Sequence, residues 1–133
     1  MTPTRTPINP WPWSLPLGYT QGELVTGATR TLHVSGQAAM SASGEPQHAG
    51  DLQAQLALAL DNLEAVLAEA GMGLADLVRL TVYATDVDLL FGHYGVLAGR
   101  LGGAGAQPAT TVLGVTRLVL PDLLVELEAT AVG

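Results

Sequence analysis

The chain has no cysteine and no lysine, and its five basic residues are arginines that stand far apart. The lack of cysteine excludes disulfides and thiol chemistry and is typical of a cytoplasmic protein, which is the location we expect. The lack of lysine excludes a Schiff-base mechanism and the lysine of a phosphate-binding loop. Because the net charge is −7 and no cations cluster, we do not expect the chain to bind nucleic acid.

Signals for membranes and metals are also missing. No apolar run reaches the roughly 18 residues that a membrane span requires, and the N-terminus lacks the basic start and apolar stretch of a signal peptide. His33, His48 and His93 do not have the spacing of metal ligands. The sequence therefore predicts no membrane association, no bound metal and no cofactor.

The composition of the chain predicts one small domain that follows a short N-terminal segment. The first sixteen residues contain five prolines and are expected to be extended or disordered rather than helical, so we predict an N-terminal segment over 1–16 and a single domain over 17–133. Trp11 and Trp13 in that segment are expected to pack on the domain or on a neighbouring subunit. Hydrophobic residues make up 48% of the chain and charged residues 13%, which favours a buried subunit interface.

The first half of the chain carries signals for two strands and a helix. Tyr19 to Val25 and Thr31 to Ser35 flank a short loop with glycine, which predicts a β-hairpin. Leucines from Leu52 to Leu67 recur at spacings of four and three, which is one face of a helix. Asp51 is a candidate N-cap of this helix, and Gly71 stands where a C-terminal glycine would end it.

The second half predicts a strand, a helix and two closing strands. Leu77 to Thr85 alternates between apolar and polar residues, and Asp86 or Asp88 caps a second helix that runs to about Leu101. One strand follows Pro108, and a last strand covers Leu124 to Ala131. The order β-β-α-β-α-β-β predicts an α+β fold in which one mixed sheet has both helices on one face.

Several short pieces of the sequence together resemble one known family. They follow one another at that family's spacing: Gly18-Tyr19-Thr20-Gln21, Val34-Ser35-Gly36-Gln37, Asn62 to Leu67, Leu80-Thr81-Val82-Tyr83, Pro108-Ala109 and Glu126-Leu127-Glu128-Ala129. In this order they are similar to the RidA/YjgF family of reactive-intermediate deaminases, also described as endoribonuclease L-PSP-like. The resemblance implies a chorismate-mutase-like fold, a homotrimer and small-molecule pockets between subunits.

The resemblance also implies a set of site residues. In active deaminases, an arginine after Pro-Ala binds the carboxylate of a 2-imino or 2-enamino acid, and water held by a glutamate hydrolyses the imine. Thr110 stands where that arginine is usual. By the same resemblance, Tyr19 is the pocket tyrosine, Gly36 the backbone position beside the ligand and Glu126 the catalytic glutamate, while His93 falls where an asparagine often stands.

The neutral side chain of Thr110 bears directly on the reaction. Hydrogen bonds to charged groups contribute about 1.5–3 kcal/mol and neutral ones about 0.5–1.5 kcal/mol, and arginine makes two such bonds to a carboxylate. We therefore expect carboxylate binding to be weaker by about ten- to a hundredfold than with an arginine.

Structural and functional interpretations stay open at this point. Tyr19 is also explained as a strand aromatic that packs on a neighbour, Gly36 as a residue that permits a turn, and Glu126 as a solvated charge on a strand. Three functions remain: a hydrolase of an imine, an enamine or a related small amide; a non-catalytic ligand-binding or regulatory trimer; and an endoribonuclease or translation inhibitor, which the acidic charge disfavours.

Overall fold

The computed structural model describes residues 2–133 and contains two β-sheets and three α-helices within that range. The strands and helices are β1 Thr4–Ile8, β2 Gly22–Thr26, β3 Thr31–Gln37, α1 Leu52–Glu69, β4 Leu77–Ala84, α2 Val87–Gly92, α3 Tyr94–Gly103, β5 Ala109–Gly114 and β6 Val125–Val132. Two 3₁₀ helices cover Pro12–Leu17 and Leu74–Asp76.

The larger sheet has four strands in the order β3-β6-β4-β5. Its strand β6 pairs antiparallel with both β3 and β4, while β4 and β5 run parallel, with α2 and α3 in the connection between them. The predicted α+β class and mixed sheet are confirmed.

The predicted hairpin of the first two strands is wrong. Strand β2 pairs with β1, from Thr4 opposite Thr26 to Ile8 opposite Gly22, and β3 pairs with β6 at the far end of the chain. The β1–β2 pair is a separate two-stranded sheet rather than part of the mixed sheet. Gly27, with φ of 73°, does allow the chain to turn after β2, but a turn residue fixes where the chain reverses and not which strand it pairs with.

The N-terminal segment is more ordered than predicted. Residues 4–8 are extended, as expected, but they form a strand, and residues 12–17 form a 3₁₀ helix in spite of their prolines. Pro12 stands at the start of this helix, where its missing N–H has no partner to lose, whereas Pro16 lies inside it. Arg5 links the N-terminal segment to the rest of the domain. Its guanidinium pairs with Glu23 at 2.8 Å and donates hydrogen bonds to the carbonyl oxygens of Ala75 and Leu77.

Helix α1 confirms the prediction made from its leucine spacing. The Asp51 carboxylate accepts a hydrogen bond from the Ala54 N–H at 3.0 Å, and Gly71 follows the helix with φ of 72°. The leucines of the repeating face are fully buried, at positions Leu56, Leu60, Leu63 and Leu67. This face therefore supplies much of the hydrophobic core.

The predicted second helix is present as two helices. Asp86 caps α2 by accepting from the Leu89 N–H at 3.0 Å, and the chain leaves helical geometry at His93 before α3 begins. Leu97 and Leu101 of α3 join the same core as α1. Within residues 2–133, none of the helices combines the length and the apolar character needed to span a membrane.

The four-stranded sheet has two different faces. On β6, Val125, Leu127, Ala129 and Ala131 are buried against the helices, whereas Glu126, Glu128 and Thr130 alternate with them on the other side. We call the helix-packed side the covered face and the other side the open face. The predicted alternation of the last strand is thereby confirmed.

Candidate functional site

A cavity lies beside Thr110, between the edge strand β5, helix α3 and the 3₁₀ helix of residues 12–17. It has two adjoining compartments of about 510 Å³ and about 300 Å³, and Leu17, Tyr94, Ala98 and Thr110 line both. We call the two together the Thr110 cavity. Because Thr110 pairs with the core residue Leu80 across the parallel ladder, its side chain belongs to the covered face of the sheet.

The larger compartment is mostly aromatic and aliphatic. Tyr19, Phe91 and Val112 complete its wall together with Pro16. The Phe91 and Tyr94 rings are tilted against each other with centroids 5.5 Å apart, and Trp13 meets the Tyr19 ring edge to face at 6.2 Å. Tyr19 and Thr110 thus line the same compartment, and their predicted roles toward a ligand stay predictions.

The lining of the Thr110 cavity is uncharged. None of the residues that line either compartment is an aspartate, glutamate, histidine, arginine or lysine. Burial, and to a smaller extent the neighbouring Tyr19, raises the pKa of the Tyr94 phenol above its usual range, which is already well above neutral pH, so the group carries its proton there. The Thr110 hydroxyl donates to the Pro108 carbonyl oxygen at 2.8 Å and so keeps only its lone pairs for a ligand.

The predicted catalytic glutamate lies elsewhere, against Gly36. A Cβ atom placed on Gly36 would stand 2.7 Å from Cδ and 2.9 Å from Oε1 of Glu126, closer than real side chains approach. Gly36 is therefore the residue that leaves room for this carboxyl group. The structure brings these two predicted site residues together, and their roles toward a ligand stay predictions.

The electrostatic surroundings of Glu126 raise its pKa. Partial burial disfavours the charged carboxylate, and the negative charge of Glu128 two residues along the same face adds to the effect. Glu128 itself accepts a hydrogen bond from the Tyr83 hydroxyl at 2.8 Å. A carboxyl group with a raised pKa takes up and releases a proton more readily near neutral pH than an ordinary glutamate does.

The two groups of site residues lie on opposite faces of the sheet. Glu126 stands directly across from Tyr83, and Tyr83 from Leu113, so all three side chains share the open face. Thr110 precedes Leu113 by three residues on β5, and because side chains alternate along a strand, its side chain lies on the covered face. Neither Gly36 nor Glu126 lines the Thr110 cavity of the same chain.

Tyr94, and not His93, lines the Thr110 cavity. His93 lies at the junction that precedes α3, with φ of −123°, outside the helix whose face forms the wall. Tyr94, Ala98 and Leu101 are spaced by four and three residues and lie on that face. This spacing was available in the sequence and would have identified Tyr94 as the wall residue.

Two amide side chains of α1 hydrogen-bond the backbone near the candidate site residues, and the sequence pattern predicted neither role. The Asn62 amide donates to the carbonyl oxygens of Ala38 and Met40 at 2.9 and 3.0 Å, just after β3 and Gly36. The fully buried Gln55 accepts from the Leu124 N–H at 2.8 Å, two residues before Glu126. Helix α1 thus holds the chain near both partners of the Gly36–Glu126 contact.

Arg117 forms hydrogen bonds within its own loop. The Arg117 guanidinium bonds the carbonyl oxygens of Leu118 and Val119 in its own loop, both at 3.2 Å. Over residues 2–133, no three histidine, aspartate or glutamate side chains come together as a possible metal site.

Comparison with known proteins agrees with the fold and the motif order. The family model described as Endoribonuclease L-PSP matches residues 17–133. The RutC family protein YjgH from Escherichia coli is 35% identical over 98 residues, which are 74% of this chain and 73% of that protein. The Rid-family protein YyfB from Yersinia pestis is 38% identical, with a TM-score of 0.81 over 96% of this chain and 98% of that one. Escherichia coli TdcF, solved with bound serine, is 29% identical, with a TM-score of 0.70 over 86% and 87%. The chain therefore belongs to the RidA/YjgF family, with the family's mixed α+β fold.

Proposed function

We propose that this protein is a homotrimeric hydrolase of small imines or enamines, whose site is completed where two subunits meet. The observation that carries the proposal is the separation of the two groups of site residues. The Thr110 cavity is on the covered face near the β5 edge, and the Gly36–Glu126 contact is on the open face. In a ring of subunits, one surface of each chain meets a different surface of the next, which brings unlike patches together.

Glu126 is proposed as the group that activates water. Its raised pKa suits a general base, and Gly36 leaves its carboxylate without a side chain in front of it. Glu126 takes a proton from water as the oxygen adds to the imine carbon. The proton passes to the imine nitrogen, which gives a carbinolamine. The hydroxyl proton of the carbinolamine then moves to the amino nitrogen, the carbon–nitrogen bond breaks, and ammonia leaves with a carbonyl compound as the second product.

The test is ammonia release from freshly generated imines, measured by coupling to glutamate dehydrogenase. Replacing Glu126→Gln keeps the shape of the side chain and is expected to lower the rate by about a hundredfold or more, as loss of a general base does. Glu69→Gln changes an exposed carboxylate at the last residue of α1 in the same way; it is the matched control and is expected to change the rate by less than about threefold. Equal rates for Glu126→Gln and the wild-type protein would refute the proposed role.

Mixed assemblies test the shared site. Ala98→Phe fills the part of the cavity that both compartments share, and Glu126→Gln removes the base. If each site takes its cavity from one subunit and its glutamate from the next, co-refolding equal amounts of the two inactive variants restores about a quarter of the sites. If both parts act within one chain, the mixture stays inactive.

A second candidate, a non-catalytic ligand-binding trimer, is favoured by the uncharged lining around Thr110. In such a trimer the Thr110 cavity binds the ligand, and Glu126 takes part in no reaction. Binding of a small molecule by the wild-type protein, unchanged in Glu126→Gln and with no ammonia released from any imine tested, would support this candidate over the hydrolase.

A further inference from the structure

The Thr110 cavity has walls that suit a neutral ligand with an apolar, planar group. We infer that this protein selects uncharged imines or amides with an aromatic or similar apolar substituent, and that it disfavours carboxylates. The inference concerns the same site and rests on the proposed function. Three features of the cavity support it: its charge, its hydrogen-bonding groups and its size.

The first feature is the absence of charge from the wall. None of the lining residues of either compartment can offset a carboxylate. Moving an ionised carboxylate from water into such a cavity costs the hydration of the ion and gains no opposite charge in return. A neutral amide or imine of the same shape loses far less, so the cavity discriminates by charge before any specific contact forms.

The second feature is the arrangement of hydrogen-bonding groups. The Thr110 hydroxyl donates its hydrogen bond to the Pro108 carbonyl oxygen, so toward a ligand it acts as an acceptor, which suits an N–H of the ligand and repels a carboxylate oxygen. The Tyr94 phenol is protonated at neutral pH and can donate to a carbonyl oxygen or an imine nitrogen. A ligand that has both an N–H and an acceptor atom uses both groups.

The third feature is size and aromatic character. The larger compartment measures about 510 Å³, whereas about 150 Å³ is enough for a benzene molecule. Tyr19, Phe91 and Tyr94 line it, and a planar apolar group of a ligand packs well against aromatic rings. The volume and the rings favour a substituent of about the size of a phenyl group over a two- or three-carbon chain.

The experiment compares three probes of known charge and size on the assembled protein. Phenylacetamide is neutral and aromatic, phenylacetate has the same shape with a charge, and propionamide is neutral without a ring. Binding is followed by tryptophan fluorescence, because Trp13 contacts Tyr19 in the wall, and checked by calorimetry. We expect phenylacetamide to bind at least about tenfold more tightly than either of the other two.

Variants at Thr110 decide whether this residue sets the preference. Thr110→Arg is expected to reverse it, with phenylacetate gaining about tenfold or more because a guanidinium binds a carboxylate through two charged hydrogen bonds. Thr110→Val keeps the cavity neutral and is expected to weaken phenylacetamide a few-fold without any gain for phenylacetate. Thr31→Arg adds the same charge at an exposed position and is expected to leave all three affinities unchanged.

Two results would overturn the inference: phenylacetate binding as tightly as phenylacetamide, or phenylacetamide binding no more tightly than propionamide. Neither depends on turnover, so they are separate from a failure of the proposed hydrolysis. Selective binding of phenylacetamide with no ammonia release from its imine analogues would uphold the ligand class and refute the hydrolase. Ammonia release from charged imino acids alone would uphold the hydrolase and refute the ligand class.

Discussion

The covered and open faces of the four-stranded sheet are made by alternate residues of the same strands, and they differ in almost every property. On β6, Leu127 is fully buried under the helices, and its neighbours Glu126 and Glu128 point the other way. The covered face gains its stability from apolar burial, whereas the open face has the carboxylates, Tyr83 and Arg79. The comparison shows that one strand supplies both the core of the subunit and the chemical groups of the proposed site.

The largest difference between the faces should appear in the free energy of unfolding when adjacent residues of β6 are substituted. Leu127→Ala is expected to lower the free energy of unfolding by about 2–5 kcal/mol, because it removes a fully buried side chain and leaves a cavity. Glu128→Gln, one residue along on the exposed side, is expected to change it by less than about 0.5 kcal/mol. Urea denaturation at a fixed protein concentration measures both, and equal losses would contradict the division of the strand into two faces.

A buried amide on α1 gives the next largest effect. Gln55→Leu is expected to cost about 2–3 kcal/mol, since the Leu124 N–H and the Asp122 carbonyl oxygen lose their partner. Gln53→Leu makes the same change at an exposed position of the same helix and is expected to cost less than about 0.5 kcal/mol. A small loss for Gln55→Leu would show that this network does not hold the start of β6.

Gly36→Ala is expected to separate function from stability on the open face. The added Cβ collides with the flexible end of Glu126 rather than with backbone, so the free energy of unfolding should change by less than about 1 kcal/mol. Ammonia release should fall about as far as in Glu126→Gln, because the carboxylate is displaced.

The double variant checks the cause of that loss. In a Glu126→Ala background the collision is gone, and Gly36→Ala should then have no further effect on activity or stability. An additive effect of the two changes would mean that Gly36 acts independently of Glu126.

The smallest effect is the pH dependence that Glu126 adds to stability. Its raised pKa means that the folded protein holds this proton more tightly than the unfolded chain does, so the group favours folding when protonated. This contribution is lost as the pH rises from the ordinary carboxyl pKa through the raised one. Glu126→Gln should therefore be slightly more stable than the wild type at neutral pH, with the difference closing as the pH falls to about 4. A variant that is less stable at neutral pH would contradict the direction of the shift.

Local patterns in the sequence predicted the elements well and their partners less well. The leucine spacing, Asp51 and Gly71 define α1 because helix contacts are close in sequence. The partner of β2 was missed because strand pairing is decided by distant residues, here the proline-rich segment around Thr4 to Ile8. The break between α2 and α3 at His93 was missed for a related reason, since propensity alone does not place a helix boundary.

The sequence proposes candidate site residues one by one but does not give their arrangement. The motif order identified Tyr19, Gly36, Thr110 and Glu126, and the structure groups them as two separate pairs. Period-two alternation along β5 and β6 gives the face of each side chain, but the strand register that relates Thr110 to Glu126 is a tertiary property. The aromatic wall formed by Phe91 and Tyr94 likewise depends on how α2 and α3 pack.

The most direct test of the account is whether the Thr110 cavity of one subunit faces Glu126 of another. The chain has no cysteine, so Thr110→Cys and Glu126→Cys introduce the only thiols, and a short bis-maleimide can join them if they are close. In the double variant we expect covalent trimers on a denaturing gel, and mixed single variants should give covalent dimers that neither gives alone. A double variant that stays a single chain, or that reacts only within itself, would contradict the account.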